Sequence, residues 1–147
     1  MFKIKLTTIY FILSILLTPV AYHQSMLVEV GTTEITAIRA SVTATMYNAV
    51  ESQCDADPFI TAGMYIINPN KASEHKWIAL SRDLLKRWGG EFDYGDVIYI
   101  SGAGHKDGTY KVVDTMNKRF KDRMDFLETA GTALYKFKNV IIQKTEI

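Results

Sequence analysis

Short apolar runs punctuated by turn residues constrain the fold of this chain more than any other feature. Residues 42–47 alternate in polarity and are rich in β-formers, which predicts a strand. Residues 64–67, 77–80, 97–100, 110–113 and 139–143 repeat the theme, and Pro69, Gly102 and Asp114 are among the residues that end these runs. The clearest is Val97-Ile98-Tyr99-Ile100. Met124 and Phe126 mark a further strand-like run around Asp125. Helical periodicity is confined to two places. Ser81 reads as an N-cap, Leu84, Leu85 and Trp88 follow at helical spacing, and Gly89-Gly90 stops the run. Residues 129–136 predict a second short helix, with Leu134 and Phe137 turned inward. Gly102 to Gly108 reads as a hairpin loop rather than a dinucleotide fingerprint, because no helix follows it. Many short strands with two short helices predict a mainly β fold, a small closed barrel. The helices are too few to cover both faces of a parallel sheet.

Three parts are expected in the 147 residues. Residues 1–25 have the form of an export signal, with Lys3 and Lys5 ahead of a mostly apolar stretch at 6–17, then Pro19 and Ala21. The stretch is shorter than the ~20 residues that span a bilayer comfortably. A cleaved signal peptide is therefore the first reading, and an uncleaved N-terminal anchor the second. Residues 26–41 show no clear period and read as a linker. Residues 42–147 form one domain, long enough for a single core. The net charge of +1 supplies no global field toward nucleic acid. A lone cysteine, Cys54, excludes an internal disulfide and is expected to be a buried or incidental thiol. His23, His75 and His105 lack ligand spacing, so neither a metal nor another cofactor is expected.

The chemistry is concentrated between Asp114 and Asp125. Each carboxylate sits on a strand-like run, and Lys118, Arg119, Lys121 and Arg123 fall between them. Two carboxylates brought together can tune one of them to donate a proton. The plainer alternatives are that both aspartates cap turns, with Arg123 neutralising one, and that the cations form a solvated loop. Tyr47, Tyr94, Tyr99 and Tyr110 are candidates for a sugar groove or for the core.

Several segments, in order, resemble the 3D domain, named for three aspartates. They are Thr43-Ala44-Thr45-Met46-Tyr47, Thr61-Ala62-Gly63, Ile78-Ala79-Leu80, Tyr94 to Ile100, Gly102-Ala103-Gly104, Asp114-Thr115 and Arg123-Met124-Asp125. The last two are the most specific. Ser81 stands where that family carries its first aspartate, and Met116-Asn117 stand where it carries glycines. The resemblance implies a small six-stranded double-psi β-barrel with two short helices, related to MltA-type lytic transglycosylases and RlpA. It implies cleavage of the bond between N-acetylmuramic acid and N-acetylglucosamine in peptidoglycan, with Asp125 as acid/base. Asp114 would be the neighbour whose like charge keeps a proton on Asp125. Thr61 and Thr115 would hydrogen-bond the pair, and Lys118, Arg119 and Lys121 would meet carboxylates of the wall polymer. Glycan strands would be the partner and the cell envelope the location, periplasmic or extracellular. A membrane would be met only through an uncleaved N-terminus, and nucleic acid not at all. A non-catalytic peptidoglycan-binding barrel is the alternative, motivated by Ser81.

Overall fold

The structure, a computed structural model, describes residues 36–50 and 57–146. Six strands close into a barrel: β1 (Thr36–Asn48), β2 (Trp77–Leu80), β3 (Val97–Ser101), β4 (Gly108–Thr115), β5 (Arg123–Glu128) and β6 (Phe137–Glu146). Their order around it is β1-β5-β2-β4-β3-β6. β1 lies parallel to β5 and β2 parallel to β4, while the remaining neighbours are antiparallel. Only β3 and β4 are consecutive and adjacent, joined by the hairpin expected at Gly102–Gly108; each other connection steps over one strand. The mainly β class and closed six-stranded barrel expected from sequence are found. The mixed, interlocked pairing is compatible with a double-psi barrel.

Alternation builds the core. Val42, Ala44 and Met46 on β1 are buried, while Thr43, Thr45 and Tyr47 between them are half-buried. Ile78 and Leu80, Ile98 and Ile100, Val112, Met124 and Phe126, and Val140 and Ile142 complete the inward set. Each such side chain contributes about 1.5–3 kcal/mol on leaving water. A smaller cluster of Ala49, Ile67, Ala72 and Leu127, with Tyr47 and Trp77 against it, joins the segment between β1 and β2 to β1 and β5.

Four local expectations are corrected. β1 begins at Thr36, inside the segment expected as linker, and pairs with β6 from Thr36↔Glu146 onward. Its inward residues Ile38 and Ala40 extend the period of 42, 44 and 46, but alanine weakens the signal. Residues 64–67 form no strand. Met64 takes a left-handed conformation (φ 66°), and the segment turns back in a single Ile60↔Ile66 bridge. The helix expected after Ser81 is two separate 3₁₀ turns, Arg82–Leu84 and Lys86–Trp88. Leu85 between them is extended because it bridges Phe92, and the Leu84 carbonyl accepts from the Phe92 N–H at 3.0 Å. Gly90 is required there: a Cβ would lie 2.3 Å from the Leu84 carbonyl oxygen. Residues 129–136 form no helix either. Thr132 closes a turn on the Thr129 carbonyl, Gly131 is left-handed (φ 90°), and Leu134 points outward, 83% exposed. Phe137 packs on the core as expected.

Candidate functional site

Four neighbouring strands place Thr45, Asp125, Ala79 and Asp114 in one row. Thr45 on β1 faces Asp125 on β5, Asp125 faces Ala79 on β2, and Ala79 faces Asp114 on β4. A bulge makes the last pairing. Ile78 faces Val112, but Ala79 faces Asp114, so Val113 is the extra residue. Without that bulge Val113 would stand beside Ala79. The two aspartates lie on strands two apart, about 10 Å between strand axes. Ala79 keeps the space between them clear because its side chain is a single methyl group.

The two carboxylates have different surroundings. Asp114 accepts from the Ala62 N–H at 2.9 Å, from its neighbour Thr115 N–H at 2.8 Å and from the Tyr47 hydroxyl at 3.2 Å. It is held as an acceptor. Asp125 accepts from the Thr45 hydroxyl. Burial pushes the Asp125 carboxyl above its ordinary range, and the Thr45 hydroxyl and the Arg123 guanidinium pull it down without cancelling that effect. Burial is therefore the largest cause that raises it.

Both aspartates line a cleft of about 710 Å³, within the size range of small-ligand sites. Its other walls come from the loop at 57–62, the 3₁₀ turns after β2, and the β4–β5 connection. Tyr47 and Tyr94 line it, as the groove reading expects, whereas Tyr110 is buried in the core and Tyr99 stands exposed outside the cleft. Thr115 lines it too, with its hydroxyl bonded to the Tyr94 hydroxyl and its N–H on Asp114. Thr61 is buried and does not touch the pair. Its hydroxyl accepts from the Tyr65 N–H at 3.0 Å and so shapes the turn that aims the Ala62 N–H at Asp114. Of the expected cations, Arg119 lines the cleft; Lys118 and Lys121 are exposed and do not.

Ser81 does not cap a helix with its side chain. It is fully buried, and its hydroxyl accepts from the Arg123 N–H at 3.0 Å while its own N–H donates to the Arg123 carbonyl at 2.9 Å. Ser81, which the resemblance set against a first aspartate, thus fastens β2 to the start of β5, two residues before Asp125. Asp83 is not a substitute. It accepts from the Asp122 N–H at 2.9 Å and does not line the cleft.

Sequence reasoning missed Arg82, Arg87, Trp88 and Phe120, all of which line the cleft. Trp88 was expected at helical spacing with Leu84 and Leu85, and instead it lies in a separate 3₁₀ turn and is 41% exposed. The signal was present in the adjacent pairs Arg87-Trp88 and Arg119-Phe120. Among the described residues no three His, Cys, Asp or Glu side chains gather as a metal site would need. His75 stacks on Trp77 at 4.1 Å, and His105 meets the edges of Tyr135 and Phe137. Cys54, His23, the linker as far as 35 and the expected export signal lie outside the described residues. The chain matches no known family model, and no curated protein matches its sequence.

Proposed function

We propose that this chain is an exported peptidoglycan-cleaving enzyme of the lytic transglycosylase type, built on a double-psi barrel like those of 3D-domain proteins and RlpA. The observation that carries the reading is Asp125: a carboxyl raised by burial, inside a cleft, with one hydroxyl partner and an open space beside it at Ala79. A group that holds its proton closer to neutral pH is a better proton donor there.

Protonated Asp125 gives its proton to the glycosidic oxygen between N-acetylmuramic acid and N-acetylglucosamine. The bond from that oxygen to the anomeric carbon breaks. The 6-hydroxyl oxygen of the muramic acid then bonds to the anomeric carbon, and the Asp125 carboxylate takes the hydroxyl proton. A 1,6-anhydro ring forms, no water is consumed, and one carboxyl serves as acid and then base. Asp114, held by the Tyr47 hydroxyl and the Ala62 and Thr115 N–H groups among others, orients the sugar from the far side of Ala79. The substrate places the protein in the cell envelope, periplasmic or extracellular.

The test is purified protein on peptidoglycan sacculi, with released products read by mass spectrometry. Anhydro-muropeptides from the wild type support the reading, and their absence across pH ~4–7 overturns it. A second reading, a non-catalytic wall-binding module, is favoured by Ser81, whose side chain is committed to Arg123 and supplies no third acid. Binding to insoluble peptidoglycan that survives Asp114→Asn and Asp125→Asn, without cleavage, would select it.

A further inference from the structure

The cleft also carries cationic and aromatic side chains in its lining. Arg82, Arg87 and Arg119 line it together with Trp88 and Phe120. The Arg82 and Arg87 guanidiniums pack over the Trp88 ring at 5.0 and 4.9 Å, and Arg119 packs over Phe120 at 4.7 Å. Among the described residues, none of the three arginines has an ion-pair partner. Arg82 Nε is buried without a hydrogen-bond partner. Arg82 is half-buried and Arg87 and Arg119 are exposed, and although Asp57, Asp114 and Asp125 line the same cleft, none of the three guanidiniums is ion-paired to them; each presents a planar fork suited to a carboxylate. Packing on the rings holds them in place before a ligand arrives, so less side-chain freedom is lost on binding.

We propose that Arg82, Arg87 and Arg119 form an anion-binding half of the cleft that selects glycan strands bearing carboxylates, those of the muramic acid peptide stems, over uncharged glycan. This rests on the glycan-cleaving reading, and it replaces the expected roles of Lys118 and Lys121, which lie outside the lining. The cleft then has two jobs, carried by two sets of side chains. The aspartates act on the sugar bond, and the arginines anchor the charged substituent. Trp88 supports two of the anchors, so its ring is not a free platform for a sugar.

The experiment measures binding apart from cleavage. Asp125→Asn protein is titrated with two soluble probes, a disaccharide carrying a stem peptide and an uncharged N-acetylglucosamine tetramer, by calorimetry. The expected result is tighter binding of the peptide-bearing probe, lost by roughly three- to tenfold for each of Arg82→Gln, Arg87→Gln and Arg119→Gln. The uncharged probe should be little affected by these changes. Lys118→Gln/Lys121→Gln removes two charges that lie outside the cleft lining, and the ratio between the probes should stay within about twofold, since no direct contact with the bound carboxylate is lost. Inorganic phosphate competing as well as acetate would assign the arginines to anions in general and overturn the selection of carboxylate. Equal affinity for both probes, or a ratio that the arginine variants leave unchanged, would overturn the proposal outright. Absence of cleavage by the wild type, with probe selectivity intact, would instead fault only the catalytic reading.

Discussion

Two acids three residues apart on β5, Asp125 and Glu128, meet opposite fates. Glu128 falls in the inward phase of the strand with Met124 and Phe126 and is 3% exposed. Its carboxylate accepts from the Ser73 hydroxyl at 2.6 Å and the Tyr135 hydroxyl at 2.5 Å, and pairs with the Lys106 ammonium. Burial alone would raise its carboxyl. The Lys106 ammonium and the two hydroxyls outweigh burial and hold it below the ordinary glutamate range. Tyr135 is pushed strongly upward by its own burial and by Glu128, and stays neutral. Asp125, in the outward phase, has one hydroxyl, and the Arg123 guanidinium that lowers its carboxyl packs over the Phe120 ring at 5.2 Å. Burial alone does not make an acid functional. The difference lies in how completely the neighbours satisfy its charged form. Glu128 joins β5 to the turn at 69–75, the β3–β4 hairpin and the approach to β6; Asp125 is left with its charged form incompletely satisfied.

The largest effect expected is on catalysis. Asp125→Asn keeps the shape and the Thr45 contact but removes the transferable proton, so release of anhydro-muropeptides should fall about 10²–10⁴-fold. Retained activity would break the comparison at once.

Next in size is the stability of the satisfied acid. Glu128→Gln leaves Lys106 without its counter-charge and should cost about 2–4 kcal/mol, a fall in Tm of about 10–20 °C for a domain of this size. The sign with pH follows from a depressed carboxyl. Its contribution is present above the unfolded value and is lost as pH falls through the folded one. Thermal melts should therefore show the gap between wild type and variant closing below about pH 4.

Asp125→Asn should do the reverse for stability. A carboxyl raised in the folded state favours folding below its unfolded value, and that contribution is lost as pH rises through the folded value. The variant should therefore melt higher than wild type at neutral pH, by about 0.5–2 kcal/mol, and the two should converge in acid. The smallest effect is on coupling. Because burial is the largest cause of the raised Asp125 carboxyl, Asp114→Asn should lower its titration midpoint only modestly and leave it above the ordinary aspartate range.

What the sequence revealed follows the same division between local and distant causes. β2, β3, β4 and the cores of β1 and β6 were legible because their apolar periods are set by burial on one face. The Asp114–Asp125 pair was legible as residue types on strand-like runs. Their placement on either side of Ala79 was not, since it depends on a bulge at Val113 and on β2 inserting between β4 and β5. Ser81 misled for a related reason. Its hydroxyl could accept a local N–H from a helix or a distant one from Arg123, and only the strand pairing decides. Leu85 and Leu134 failed because helical spacing was read where a Phe92 bridge and a left-handed Gly131 govern the chain. The Glu128 network joins residues 73, 106, 128 and 135, and no local pattern announces it.

A carboxyl ¹³C NMR titration of both acids tests the central claim most directly, since each side-chain carbon reports its own protonation. The account predicts that Asp125 titrates above the ~3.9 of an unperturbed aspartate, and Glu128 below the ~4.3 of an unperturbed glutamate. An Asp125 midpoint at or below the ordinary aspartate value would contradict it, and with it the case for Asp125 as proton donor.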